Sequence, residues 1–243
     1  MRVSRNELTA SLKKAFEGLG FSVGDYQDAA AMVVWSQMHG FGGLSQLQQA
    51  LPFLNNCPCL HAKLITNGDH QALLDGQGSS ILLCGTQTVR LVCALARQHG
   101  SGRVHLDNCH NRQLIIQRLV SAAQLGSALV AYWVQDNQGC KLSIEAGAQQ
   151  PDYRQYSLAN PTDDQSLLIF AGTDLAVVEA QFAAEITLRE QTYSLPPETM
   201  LDSYSQALEL GIEIDDELWD ELNNLVARVL VESTESSRAG AGD

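Results

Sequence analysis

The chain has 243 residues, of which 45% are hydrophobic and 18% charged, with 28 Asp and Glu against 15 Lys and Arg. This is the composition of a globular protein long enough to bury a substantial core. The net charge of −13 argues against nucleic acid and anionic membranes as partners, and no apolar run reaches the roughly eighteen residues of a membrane span.

Residues 4–7 read Ser-Arg-Asn-Glu, a capping box ahead of an apolar pattern at Leu8, Leu12, Ala15, Phe16 and Leu19. That pattern predicts a helix ending at Gly18 or Gly20. A second helix starts at Ser22 or Asp25 and stops at His39, because Gly40, Gly42 and Gly43 follow within four residues. A histidine at such a corner can face a cleft, or can cap the helix dipole at the surface. A third helix begins near Leu44 and is expected to be disturbed by Pro52.

The character then changes. Residues 63–66 and 71–75 predict two strands joined by Asn67-Gly68-Asp69, a hairpin signal. Residues 85–99 have helical period and stop at Gly100. A short strand at 103–106, a helix at 111–124 closed by Gly126, and an apolar strand at 128–134 of the kind buried on both faces complete a β-β-α-β-α-β middle. Residues 141–144 and 153–158 predict edge strands, 167–170 a buried strand, and 173–184 a helix capped by Thr173 or Asp174. Residues 194–197 form a break with proline opening a further helix that ends at Gly211. Asp215 caps the last helix, with Leu218, Leu222, Leu225, Val226 and Val229 inward. Residues 198–235 carry eleven carboxylates and one strong base, Arg228, as on a solvated helical face.

The N-terminus, MRVSRNEL, lacks an apolar signal region, which predicts a cytoplasmic protein with six reduced cysteines. Cys84, Cys93 and Cys140 lie in apolar surroundings and read as core thiols. The one-residue spacing of Cys57-Pro58-Cys59-Leu60-His61 is not that of a structural zinc site, so no metal is expected. His105 alternates with Val104 and Leu106 and should face solvent; His61, His70 and His99 sit at loops or helix ends.

Four blocks, in order, resemble the malate/L-lactate dehydrogenase family, whose members have a non-Rossmann NAD(P) fold and include ureidoglycolate, sulfolactate and diketogulonate dehydrogenases. They are residues 3–54 with the His39-Gly40 turn, residues 72–102 ending in Ala96-Arg97-Gln98-His99-Gly100-Ser101-Gly102, residues 103–134 with Asn108-Cys109-His110 as the family's Asn-x-His, and residues 195–225. The resemblance implies an α+β fold: a helical part from residues 1–56 and 195–232 and a central mixed α/β part at 57–194, while the small and polar residues 233–243 read by composition as a disordered tail. It also implies a homodimer, NAD or NADP as cofactor if the protein is active, and a small 2-hydroxy or 2-keto acid as ligand. His39 and His110 would be the catalytic pair lining one cleft, within a chain or across a dimer, with Asn108 and Arg112 binding substrate.

The sequence departs from the family at Met38, where the family has serine, and at Gly43, where it has a carboxylate-clamping arginine. The chain is also shorter than the family between residues 137 and 195, where the cofactor segment and a catalytic aspartate fall; Gly172-Thr173-Asp174-Leu175 is at most a remnant of them. With these losses no arginine is expected within reach of His39 beyond a chance one such as Arg112. Two readings follow: an oxidoreductase on a small 2-hydroxy or 2-keto acid, or a catalytically inactive scaffold serving as a binding or interaction module.

Overall fold

The computed structural model describes residues 1–56, 59–160 and 165–229. After a two-residue strand, β1 (Arg2–Val3), the first helix α1 (Arg5–Gly18) starts at the expected capping box. Ser4 Oγ accepts from the Glu7 amide and the Glu7 carboxylate accepts from the Ser4 amide. α2 (Val23–Met38) ends at His39, and α3 (Gly43–Asn56) follows the turn. α3 runs through Pro52, against expectation. Leu44, Leu47, Leu51 and Leu54 are all buried along one face. At about 2 kcal/mol per side chain, that burial outweighs the ~3 kcal/mol cost of a proline inside a helix.

β2 (Lys63–Asn67) and β3 (Gln71–Asp75) form the predicted hairpin. α4 (Ile81–His99) begins four residues before the predicted start, because Ser80 Oγ caps it by accepting from the Leu82 amide. It stops at Gly100 in the left-handed conformation, as predicted. β4 (Gly102–Asp107) leads to Asn111, whose φ of 58° turns the expected helix start into a 3-10 turn over Arg112–Ile115. The helix itself, α5, is Ile116–Gln124. Four strands follow: β5 (Ala128–Gln135), β6 (Gln138–Ile144), β7 (Asp152–Ser157) and β8 (Leu167–Gly172). Asp174 caps α6 (Leu175–Glu185) through the Ala176 amide. The chain closes with β9 (Gln191–Leu195), α7 (Pro197–Leu210), β10 (Ile212–Glu213) and α8 (Asp216–Ala227).

Eight strands form one mixed sheet in the order β2-β3-β4-β8-β5-β6-β7-β9. β3 and β4 are parallel and joined by α4; the other pairs are antiparallel. β6 and β7, expected at an edge, are interior strands. β9 pairs with β7 and takes the edge instead, in a stretch whose sequence reads only as the approach to a break. The apolar runs of β5 and β8 have helices on both faces. Val130, Leu168 and Phe170 meet Val178 and Phe182 of α6, while Leu129, Ala131, Trp133, Leu167 and Ile169 face the main core.

The helical ends close on each other. Phe16 and Leu222 are both buried, and Val3 of β1 pairs with Ile212 of β10. The Met1 amino group donates to the Ile214 carbonyl and pairs with Asp216, each at 2.9 Å. Leu8 and Phe16 share one continuous apolar cluster with Leu225 and with the strand residues Val104 and Trp133, so the helices are packed on the mixed layer. The fold is therefore α+β as the sequence implied. Residues 230–243, including the expected tail, lie outside the described residues, as does Cys57. No helix among the described residues is long and apolar enough to cross a membrane.

Candidate functional site

A four-residue spacing puts Arg5, Thr9 and Lys13 in one row along α1, beside the buried Leu8 and Leu12. That polar face meets α2 along Ala31, Trp35 and Met38, and Gln117 of α5 and Tyr204 of α7 complete a cavity of about 210 Å³. His39 lines it, at the end of α2. Its side chain is 9% exposed and its ring stacks on Trp35, centroids 4.0 Å apart, with Tyr204 5.0 Å away on α7. The helix end presents its last carbonyls here, and His39 Nδ1 donates to the Trp35 carbonyl at 2.8 Å. A carbonyl can only accept, so this bond places the ring proton on Nδ1 and leaves Nε2 as the acceptor.

The electrostatics follow from the lining. Burial lowers the His39 pKa, and the Arg5 charge lowers it further against the supporting bond to Trp35. None of the described residues lining the cavity is a carboxylate; its cations are Arg5 and Lys13. An arginine does therefore stand by His39, contrary to the sequence expectation, and it comes from α1. Position 43 could not have supplied it. A Cβ on Gly43 would lie 2.1 Å from the Val33 carbonyl oxygen and 2.6 Å from the Gln37 nitrogen, so α2 and α3 cross there with no room for a side chain. Gly40, with φ of 81°, lets α7 close over the turn: a Cβ there would be 3.2 Å from Ser203 Oγ.

His110 lies elsewhere in the chain. It lines a separate cavity of about 170 Å³ with Gln46, Phe53, Arg112, Asp136 and Gln165. Its ring stacks on Phe53 at 4.4 Å. Its backbone is bound on both sides, the amide to the Ser79 carbonyl and the carbonyl to the Ile81 amide, each 2.9 Å. The expected single cleft for His39 and His110 is thus not formed within one chain. The two are linked only indirectly: Gln113 Nε2, in the turn after His110, donates to the Phe41 carbonyl at 3.2 Å. Asn108 lines neither cavity; it has φ of 52° and shapes the corner before α4, where its carbonyl accepts from the Gly78 amide at 2.9 Å. Arg112 is 7% exposed, and its guanidinium donates to the carbonyls of Cys109 (2.7 Å) and Val134 (2.6 Å) and to Gln165 Oε1.

Of the residues that line this cavity, sequence reasoning singled out His39 and passed over Arg5, Thr9, Lys13, Gln117 and Tyr204. The only signal was the fourfold polar stripe on α1, which a solvated face would show equally. Of the cysteine-rich segment, Cys59 is exposed, with Sγ donating to the Leu19 carbonyl at 3.4 Å.

Residues 3–84 match a family described as a protein of unknown function (DUF3726). No curated protein matches the chain. Among solved structures, the chain is similar to malate dehydrogenase from Entamoeba histolytica, with a TM-score of 0.67 at 9% identity, covering 96% of this chain and 99% of that one. A putative malate/lactate dehydrogenase from E. coli gives a TM-score of 0.67 at 12% identity and 98% of each chain. Sulfolactate dehydrogenase from Methanocaldococcus jannaschii gives 0.62 at 12%, covering 93% and 97%. At such identities the likeness concerns the backbone, and it runs from end to end: the chain has the fold of the malate/lactate dehydrogenase-like structures.

Proposed function

We propose that the His39 cavity binds a small 2-hydroxy or 2-keto acid, and that the chain is an oxidoreductase-type scaffold with His39 as the acid/base group at the ligand's oxygen. The observation that carries this reading is a buried histidine, oriented by its bond to the Trp35 carbonyl, in a cavity whose charged lining groups among the described residues are the cations Arg5 and Lys13. Arg5 and Lys13 offer charge-assisted hydrogen bonds to a carboxylate. Thr9 Oγ1 gives its proton to the Arg5 carbonyl and so can accept from a ligand hydroxyl, while Gln117 Nε2, which donates to Ser121 Oγ, keeps a second N–H. With its proton on Nδ1 and its pKa lowered, His39 presents an unprotonated Nε2 at neutral pH, the state a general base needs to accept a hydroxyl proton.

The volume supports the acid and sets a limit. About 210 Å³ suits a three- to four-carbon acid but falls below the ~300 Å³ lower end of sites for drug-sized ligands. NAD or NADP would supply the hydride acceptor for oxidation of such an acid, and a dinucleotide exceeds this cavity. The residues here therefore fit the acid and not the dinucleotide. The fold, and the resemblance of the His39-Gly40 turn, favour an oxidoreductase over an inactive scaffold. A homodimer is proposed on the resemblance alone.

The test is calorimetric titration with pyruvate, oxaloacetate, L-lactate and L-malate, on the wild-type chain and on Arg5→Gln and His39→Gln. At least one acid should bind saturably, and Arg5→Gln should weaken it about tenfold, as expected for one lost charge-assisted bond. His39→Gln should retain the carboxylate but abolish any NADH- or NADPH-coupled turnover. Absence of binding by every acid, or equal binding by Arg5→Gln, refutes the acid site. Acid binding without turnover on either nucleotide refutes the oxidoreductase half alone.

A further inference from the structure

A third cavity, of about 230 Å³, lies between α4 and α5, and the acid site has no share in its lining. Three of the chain's 15 basic residues converge on it, Arg90 and Arg97 from α4 and Arg118 from α5, in a chain with 28 acids. None of the described residues lining it is a carboxylate. Asp28 of α2 lies beyond the lining and pairs with Arg118 Nη1 at 2.8 Å. Three guanidinium charges less one carboxylate leave the cavity with a formal charge of +2. Arg97 is steered along α4 by its Nε bond to the Cys93 carbonyl, 3.2 Å. Burial and the Arg90 charge both disfavour the cationic form of Arg118, against the support of Asp28. Like charges facing one space in this way call for an anion between them.

Hydroxyl groups stand among the arginines. Ser121 Oγ accepts from Gln117 Nε2 at 2.8 Å, so its own proton is directed elsewhere. Thr86 lines the cavity, and its Oγ1 is buried and makes no hydrogen bond among the described residues. A buried hydroxyl without a partner costs free energy, which a ligand oxygen would remove.

We propose that this cavity binds the phosphoryl group of a small molecule, either free phosphate or a small phosphate monoester. Planar guanidinium forks and hydroxyls arriving from two helices match a tetrahedral oxyanion with three or four acceptor oxygens. A phosphoryl group carries about −1.5 to −2 at neutral pH, which balances the +2 of the cavity, whereas a single carboxylate leaves half of it uncompensated. The volume is several times the ~30 Å³ of one water. It leaves space beside the phosphoryl group for a short carbon chain against Val89 and Ala122.

The experiment is calorimetric titration of the full chain with inorganic phosphate, glycerol 3-phosphate, glycerol and succinate. Phosphate or glycerol 3-phosphate should bind saturably, while glycerol and succinate should not. Tighter binding of the ester identifies a monoester as the ligand; equal or tighter binding of phosphate identifies the free anion. The double variant Arg90→Gln/Arg97→Gln removes two exposed cations and should weaken binding tenfold or more. Thr86→Val should weaken binding several-fold while the unliganded melting temperature holds or rises, which separates a ligand contact from a structural role. His39→Gln should bind phosphate as the wild type does, so failure of the acid site leaves this proposal standing. No saturable binding by either phosphate compound, succinate binding as tightly, or undiminished binding by the arginine double variant overturns it.

Discussion

Replacing Gly18 by alanine tests how closely the two ends of the chain are packed. In an exposed helix, glycine to alanine stabilises by up to ~1 kcal/mol. At Gly18 the added Cβ would lie 2.1 Å from the Leu225 carbonyl oxygen and 3.0 Å from its carbon. The obstacle is backbone of α8, which cannot swing aside as a side chain could. Reaching ordinary contact at 3.4 Å requires α1 and α8 to separate locally by about 1.3 Å. That separation loosens Phe16 against Leu222 and Leu225, all buried. Overpacking of this kind costs ~1–3 kcal/mol, and a backbone obstacle argues for the upper end. After subtraction of the helix gain, the net loss is about 2 kcal/mol. For a chain of this size that corresponds to a fall in Tm of roughly 4–8 °C. Gly24, near the start of α2, has open space where a Cβ would go, with nothing within 4 Å, and serves as the control. Gly24→Ala should hold or raise Tm by roughly 2–4 °C. Urea and thermal unfolding followed by circular dichroism measure both variants. If Gly18→Ala is as stable as Gly24→Ala, the close contact of α1 with α8 is wrong.

Further outcomes follow from single sites. The folded-state pKa of His39 lies below its ordinary 6.5, so its contribution to stability is complete above 6.5 and is lost as pH falls through the folded value; Arg5 and Lys13 face it, and His39→Gln should flatten that acid-side slope in pH-dependent urea unfolding. His39→Ala should cost ~1–3 kcal/mol in the same assay, since it removes a buried hydrogen bond and two ring contacts; a loss near zero would favour a solvent-facing cap. Arg112→Met should destabilise by ~3 kcal/mol, because the buried carbonyls of Cys109 and Val134 lose their donor, and wild-type stability in that variant would contradict the structural role. Under native conditions a thiol reagent should modify Cys59 before Cys140, whose burial removes access and pushes its pKa up to about 11; mass spectrometry of labelled peptides showing the reverse order would refute this.

Local features were legible because their causes are local. The capping box at Ser4 and Glu7, the glycine stop at Gly100 and the Asp215 cap each rest on bonds within a few residues, and all three form as read. The apolar run of β5 foretold burial on both faces, and the helices at both ends foretold mutual packing, since neither could bury its apolar stripe alone. The helix end and glycine turn at His39 were legible too, though not whether the ring faces a cavity or solvent. Pairings and margins were not. β9 carries four exposed residues in five and gains strand geometry only from hydrogen bonds to β7, so β7 reads as an edge until that partner is seen. Pro52 reads as a break because the burial of Leu47 and Leu51, which holds α3 through it, is a tertiary term.

The three cavities mark the same boundary. The order of residues determined the elements, since periodicity, caps and turns act over one or two helical turns; the α+β class and His39 as an acid/base candidate came with the family resemblance. Only the tertiary structure decided that Arg5, eight residues before Lys13 on α1, stands beside His39, and that His110 faces another cavity. It also decided that position 43 has no room for a side chain and that Arg90, Arg97 and Arg118 share one space. Those facts depend on the distance and rotation between packed helices. Such quantities are set by the summed contacts of whole faces, and no residue or short motif encodes them alone.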